Sequence, residues 1–203
     1  DLRRTASHIR RVRFRTASDA MMLDESTLSN LDLISSRGTA RTDAPTTLLK
    51  ALDTTRTAMG SRRLRDWLVR PLQNLDGITA RHDAVDTLRN KRRDLESLRD
   101  ILGGIKDLER LLSRLSSGSG NGRDIRALGA SLARLPAVKT ALAAFGGGRL
   151  GELAAAVEPQ EDLVARIDRA LVDEPPMTIK EGGVIRPGFH PELDELRSAA
   201  HDG

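Results

Sequence analysis

The sequence of 203 residues contains no cysteine and no tyrosine, and its aromatic residues amount to one tryptophan and three phenylalanines. The absence of cysteine excludes disulfide bonds and thiolate metal sites. Because sheets favour aromatic and β-branched residues, a core built from leucine, alanine, valine and isoleucine indicates packing of helix against helix. So few aromatic rings also argue against binding of single-stranded nucleic acid by base stacking.

Other signals of function are missing as well. No run of about 18 apolar residues is present, so we expect no transmembrane helix and no membrane partner. The dipeptide Gly-Lys never occurs, which excludes a phosphate-binding loop of the Walker type. The four histidines are too scattered to pair as metal ligands. The sequence therefore predicts no catalytic, cofactor-binding or metal-binding residues, and the lack of cysteine fits a cytoplasmic location.

The positive charge is concentrated at the start of the chain. Residues 1–20 carry six arginines against two aspartates, which accounts for the whole formal net charge of +4 and leaves the rest balanced. A pI near 10.1 is therefore weak evidence for a nucleic-acid groove. Four arginines of this segment are candidates for weak phosphate contacts: Arg10, Arg11, Arg13 and Arg15. The alternative is a solvated terminal tail.

Apolar residues spaced three and four apart predict a succession of amphipathic helices. The strongest pattern is IKDLERLLSRL at 105–115. Its carboxylates, Asp107 and Glu109, are expected to form salt bridges with arginines further along the same helix. The triple glycine at 146–148 follows a helical pattern and is interpreted as a helix terminator.

The period changes after residue 176. Short apolar runs at 177–179 and 184–185 flank the tetrapeptide Lys-Glu-Gly-Gly, which predicts a small hairpin whose glycines adopt positive φ. The same tetrapeptide is interpreted as a joint that aims the following helix, which is predicted to begin at Pro191. The predicted fold class is all-α, a multihelical bundle with a minor β-hairpin near residues 177–186.

The stretch TLLKALDTTRTAMGSRRLRDWLVRPL, at 47–72, contains the one tryptophan of the chain. Asp53 or Thr54 is predicted to cap its second helix, and Asp76 the helix that follows. A glycine within a helix costs about 1 kcal/mol relative to alanine, which suggests a close approach by another backbone. An isolated tryptophan on an apolar helical face is more often core than a ligand platform. These features predict a structural packing seam: Gly60, Leu64, Trp67 and Leu68.

Five segments occur in the order found in one known family: the stretch at 47–72, then ITARHDAVDTL, IKDLERLLSRL, NGRDIRAL and VDEPPMTIKEGGVIRPGFHPELDELR. Together they closely resemble the start of the core, or lever, domain of the MutS family of DNA mismatch-repair proteins. MMLDESTLSNLDL, at 21–33, resembles the family's entry into this domain. The resemblance covers about residues 21–203, with departures at Lys91, where the family often has proline, and in the loop SSGSGNGRD.

The resemblance implies a division into domains. Residues 1–20 would be the end of the connector domain, an arginine-rich linker. Residues 21–203 would be the first half of the core (lever) domain, ending at the start of the lever helix. The whole protein would be a homodimeric ATPase that finds mismatches in duplex DNA, with ATP and Mg²⁺ bound in a domain absent from this chain. It would act with MutL-like proteins in the bacterial cytoplasm, associated with the nucleoid.

The function implied for this chain is mechanical. It would be a helical segment that couples the clamp and ATPase domains and is not itself an enzyme. One alternative is a helical interaction module of a MutS paralogue that acts outside mismatch repair. Another, a free-standing basic DNA binder, depends on residues 3–15 alone.

Overall fold

A computed structural model of the protein describes residues 20–34 and 47–201. Within these ranges the chain is predominantly helical, as the sequence predicts, and contains no β-sheet. The helices are α1 (Glu25–Asn30), α2 (Leu48–Leu52), α3 (Ala58–Val69), α4 (Leu75–Asn90), α5 (Arg92–Gly103), α6 (Leu108–Ser116), α7 (Gly122–Leu132), α8 (Leu135–Ala143), α9 (Gly148–Ala156), α10 (Glu161–Ala170) and α11 (Pro191–His201).

The described residues divide into two compact units. The first consists of residues 20–34, 47–52 and 64–79, and the second of residues 53–63 and 80–201. In the first unit, the Asp24 carboxylate accepts a hydrogen bond from the backbone N–H of Thr27 at 2.7 Å and so caps α1. Short polar side chains therefore begin helices here as the cap preference predicts.

The second unit has a core of five buried apolar side chains: Leu98, Ile105, Val138, Phe145 and Leu150. They come from α5, the link after it, α8, the link between α8 and α9, and α9. Helix α8 packs against α5 and α9, whereas α7 packs against α6 and α10. One phenylalanine among four aliphatic residues is the kind of core that the composition predicts.

The N-cap predicted for α3 is wrong. The Thr57 hydroxyl oxygen accepts from the backbone N–H of Gly60 at 3.0 Å, and Thr57 directly precedes α3. Asp53 and Thr54 lie a turn further upstream. The connecting stretch contains several residues that cap helices well, so the spacing of apolar residues does not decide among them.

The cap of α4 also differs from the prediction. The Asn74 side-chain oxygen accepts from the backbone N–H of Gly77 at 2.8 Å and begins the helix. Asp76, the predicted cap, lies inside the first turn of α4. A carboxylate is favourable there because it faces the positive end of the helix dipole.

The predicted β-hairpin near residues 177–186 is wrong. Ile179–Glu181 forms a turn of 3₁₀ helix. The Glu181 carboxylate accepts from the backbone N–H of Thr178 at 3.0 Å and from its hydroxyl at 2.8 Å. This Thr-x-x-Glu pattern, which resembles a capping box, turns the chain before a strand can form.

The strand-like residues after the turn pair with a different partner. Ile185 forms its antiparallel bridge with Leu171, at the end of α10. Gly182 and Gly183 have φ angles of 72° and 66°, so the positive φ predicted for these glycines is confirmed.

Candidate functional site

The residues predicted to contact phosphate and those predicted to form the packing seam lie in different parts of the chain. The arginines proposed to contact phosphate, Arg10, Arg11, Arg13 and Arg15, lie outside the described residues. Of the predicted packing seam, Gly60 belongs to the second unit, whereas Leu64, Trp67 and Leu68 belong to the first. The seam as a whole therefore stays a prediction.

Trp67 is 43% exposed in this chain. Leu64 and Leu68 on the same helix are partly buried, and a role of Trp67 in the packing seam stays a prediction. A tryptophan side chain is large enough to bury much of its surface while it keeps one edge exposed.

The space at Gly60 is limited by the loop that leads into its own helix. A Cβ added at Gly60 would lie 3.1 Å from the hydroxyl oxygen of Thr57 and 3.3 Å from Cβ of Thr55. Glycine therefore suits this position because it lets the capping loop fold tightly over the first turn of α3.

The loop before α3 is fixed through the Asp53 carboxylate. It accepts from the hydroxyl of Ser61 and from both the hydroxyl and the backbone N–H of Thr55, the last two at 2.6 and 3.1 Å. The bonds from Ser61 and Thr55 lower the pKa of Asp53. Arg99 of α5 donates to the carbonyl of Thr54 at 2.9 Å, so the loop is also attached to the core helices.

Arg62 connects the first turns of α3 to the beginning of α6. Its two terminal nitrogens donate to the Asp107 carboxylate at 2.8 and 2.7 Å, and its Nε donates to Glu109 at 2.9 Å. The bidentate contact with Arg62 lowers the pKa of Asp107 to about 2. Asp107 also caps α6, because it accepts from the backbone N–H of Arg110 at 3.1 Å.

These contacts correct the salt bridges predicted from sequence. Asp107 and Glu109 were expected to pair with arginines of their own helix, but in the structure Arg62 takes both. Arg114, one of the arginines further along α6, pairs with the buried Asp124 at 3.0 Å. No spacing in the sequence identifies partners that lie more than 40 residues apart.

A second group of ion pairs lies where α7 meets the end of α10. Arg126 donates to Asp168 at 2.6 Å and to Asp173 at 2.7 Å. Arg186 donates to the same oxygen of Asp173 at 2.9 Å. A groove of about 350 Å³ lies along these helices, and both of its aspartates are held by Arg126. We interpret the group as structural because its carboxylates are neutralised by guanidinium groups.

Ser131 is the most deeply buried polar side chain described, with no exposed surface. Its hydroxyl donates to the carbonyl of Ala127 at 2.7 Å and accepts from the backbone N–H of Lys106 at 3.1 Å. It therefore attaches α7 to the link between α5 and α6.

Two other kinds of site are absent from the described ranges. No three histidine or carboxylate side chains there lie close enough to hold a metal ion. No helix in that part of the chain is long and apolar enough to span a membrane.

Comparison with known proteins identifies relatives along almost the whole chain. A family model described as MutS domain III matches residues 26–201. The DNA mismatch repair protein MutS of Anaeromyxobacter sp. (strain K) is 45% identical over 196 residues, which cover 97% of this chain and 22% of that protein. The proteins of the same name from Halothermothrix orenii and Myxococcus xanthus are 40% and 42% identical over 202 and 199 residues, which cover 99% and 98% of this chain and 22% of each relative. The chain spans about a fifth of the length of these relatives.

Proposed function

Because this chain belongs to the MutS domain III family of DNA mismatch-repair proteins, we propose that it is a mechanical element of such a protein. In this role its helices couple the position of a DNA clamp to the state of an ATPase domain, both carried by other parts of the whole protein. The observation that carries the proposal is the set of hydrogen bonds from Arg62. This arginine lies on α3 and binds the carboxylates of Asp107 and Glu109, at the beginning of α6.

Mechanical coupling needs helices that move together as rigid bodies. If the contacts between helices are flexible, a displacement at one site does not reach a distant site. In the second unit, helices that are distant in sequence are connected by guanidinium groups as well as by a buried core. Packed elements of this kind have discrete arrangements, which is the property that a lever requires.

The proposal assigns no reaction to this chain. ATP and Mg²⁺ would bind to another domain of the whole protein, and mismatched duplex DNA, a second copy of the protein and a MutL-like protein would be partners of the whole protein. We also propose the bacterial cytoplasm, at the nucleoid, as its location. The relatives are named DNA mismatch repair proteins, which favours this role over that of a paralogue outside mismatch repair.

The proposal can be tested by exchange of segments between relatives. A chimera of the Myxococcus xanthus protein, with its matching 199 residues replaced by this chain, is introduced into a strain that lacks its own MutS. We expect the chimera to lower the spontaneous mutation frequency towards that of the parent strain. A chimera with Arg62→Ala should lower the mutation frequency less. A chimera with Arg65→Ala, which changes an exposed arginine of the same helix, should lower it as much as the unmodified chimera does.

Two results would contradict the proposal. One is a chimera that is expressed and folded but leaves the mutation frequency as high as in the deletion strain. The other is ATP hydrolysis by the isolated 203-residue chain at a rate that survives repeated purification. Binding of the isolated chain to duplex DNA should be weak, sensitive to salt and indifferent to a mismatch.

A further inference from the structure

The chain between α10 and α11 doubles back on the end of α10. The backbone N–H of Arg186 donates to the carbonyl of Ala170 at 2.8 Å, and the N–H of Val172 donates to the carbonyl of Val184 at 3.2 Å. Leu171, between these two bonds, is buried. Residues 184–186 are thus attached to the end of α10 by two main-chain hydrogen bonds.

The Arg186 side chain adds a second attachment. Its Nε donates to the carbonyl of Leu171 at 3.1 Å, and a terminal nitrogen donates to Asp173 at 2.9 Å. The same Asp173 oxygen also accepts from Arg126 of α7 at 2.7 Å. One carboxylate therefore joins α7 to the segment that precedes α11.

The first two turns of α11 are attached to this segment in turn. The Asp194 carboxylate accepts from the backbone N–H of Gly188 at 2.7 Å. Arg197 donates to the carbonyl of Ile185 at 3.1 Å and to Asp194 at 3.3 Å. The helix is consequently held by two side chains on one of its faces.

Glycines with positive φ stand on both sides of the attached segment. Gly182 and Gly183 precede it with φ of 72° and 66°, and Gly188 follows the bridged residues with φ of 83°. Apart from the glycine and its chain neighbours, no atom of the described residues lies within 4 Å of a Cβ built at any of the three. Open space and the freedom of glycine allow the backbone to rotate at these positions once the contacts between them are lost.

We propose that residues 184–188 form an exit latch, which fixes the direction in which α11 leaves the second unit. Arg186 and Arg197 close the latch from its two sides, and the glycines at 182, 183 and 188 are the points at which the chain bends when it opens. The direction of α11 is useful for coupling only under the function proposed above, but the latch itself is a property of this chain.

The test measures the direction of α11 by spin labels in the 203-residue protein. The chain has no cysteine, so Lys139→Cys on α8 and Glu195→Cys on α11, both exposed, provide one unambiguous pair of labels. Pulsed electron double resonance then gives the distribution of distances between them. We expect one narrow distribution, which Arg186→Gln broadens at least twofold.

A control and a second variant keep the test decisive. Arg166→Gln, an exposed arginine of α10, should leave the width unchanged. Arg197→Gln opens the latch from the α11 side and should broaden the distribution even if Arg186→Gln fails to fold. Folding of each variant is checked by its helical circular dichroism.

A folded Arg186→Gln or Arg197→Gln protein with the parental width would overturn the latch. Equal broadening in Arg166→Gln would overturn it too, because the effect would then be one of lost surface charge. The measurement uses neither DNA nor nucleotide. Failure of the latch is therefore distinguishable from failure of the proposed function, which is tested by mutation frequency.

Discussion

The contact between α7 and α10 is closest at Gly129, and alanine at this position tests the packing directly. A Cβ added at Gly129 would lie 2.9 Å from Cγ2 of Ile167 and 3.4 Å from its Cδ1. Ile167 is buried and Gly129 is buried beside it. Because ordinary carbon contacts begin near 3.5 Å, the new methyl group forces either the isoleucine or the helix to shift.

Two opposing effects set the size of the result. Alanine is favoured over glycine in a helix by about 1 kcal/mol. Overpacking of a core by one methyl group costs about 1–3 kcal/mol. We therefore expect Gly129→Ala to lower the free energy of unfolding by up to about 2 kcal/mol, although helix propensity alone predicts a gain.

The double variant with Ile167→Ala separates these effects. Ile167→Ala alone should cost about 2–5 kcal/mol because it leaves a cavity. In the double variant the methyl group of residue 129 enters that space without strain. The combined loss should then be smaller than the sum of the single losses by about 0.5–3 kcal/mol.

The assay is urea unfolding of the 203-residue chain, followed by circular dichroism at the helical band. Gly103→Ala is the matched control, because it adds a methyl group at the last residue of α5, where no described atom beyond the local backbone lies within 4 Å. It should leave stability unchanged or raise it by up to about 1 kcal/mol. If Gly129→Ala stabilised the protein as the control does, or if the two single losses were additive, the close packing of α7 on α10 would be refuted.

Three further predictions concern polar contacts and the tryptophan. Ser131→Ala should cost about 1–3 kcal/mol in urea unfolding, because it removes the fully buried hydroxyl that accepts from the backbone N–H of Lys106; a loss below about 0.5 kcal/mol, on the order of a surface change, would contradict this. The pKa of Asp107 is lowered from 3.8 to about 2 in the folded protein, so its contribution to stability is present above about pH 4 and is lost as the pH falls through about 2. The difference in urea midpoint between the parent and Arg62→Ala should shrink over that interval, and a constant difference would contradict the assignment. Trp67→Ala should cost less than the 3–5 kcal/mol of a fully buried ring, because the side chain is 43% exposed in this chain; a loss within that range would show that the ring is buried in solution.

A feature of the fold could be predicted from sequence when a single residue type or a single spacing of residues is enough to determine it. The low aromatic content and the spacing of leucines led to the correct fold class. The positive φ of Gly182 and Gly183 followed from their place in a turn. The cap of α3 did not follow, because Asp53, Thr54 and Thr57 all suit a helix N-terminus and only the exact start of the helix selects among them.

The predicted hairpin does not form, for a different reason. Residues 177–179 and 184–185 have strand composition, but the bonds between Thr178 and Glu181 close a helical turn inside the first run. The second run then pairs with Leu171, at the end of α10. Pairing of extended segments depends on which edge is available in space, and a single short apolar run carries no information about that edge.

The ion pairs between elements that are distant in sequence could not have been predicted from spacing. Within one helix, a salt bridge contributes a few tenths of a kcal/mol, so its occurrence is easily overridden. Arg62 offers its planar fork to Asp107 at two points, and that geometry outcompetes an arginine on the same helix. The pairing requires that the folded core first bring residues 45 positions apart into reach.

Arginine is therefore used here to fix orientation more than to add stability. Arg62 is about half exposed, and an exposed ion pair contributes at most about 1 kcal/mol. A guanidinium nevertheless binds in few geometries, and each of Arg62, Arg126 and Arg186 contacts acceptors that lie outside its own element of secondary structure. A core of aliphatic side chains tolerates small rotations of one helix against another, since such contacts have no direction. Directional contacts at the edge of that core restrict these rotations. A helix such as α11 is then held in one orientation relative to the rest of the second unit.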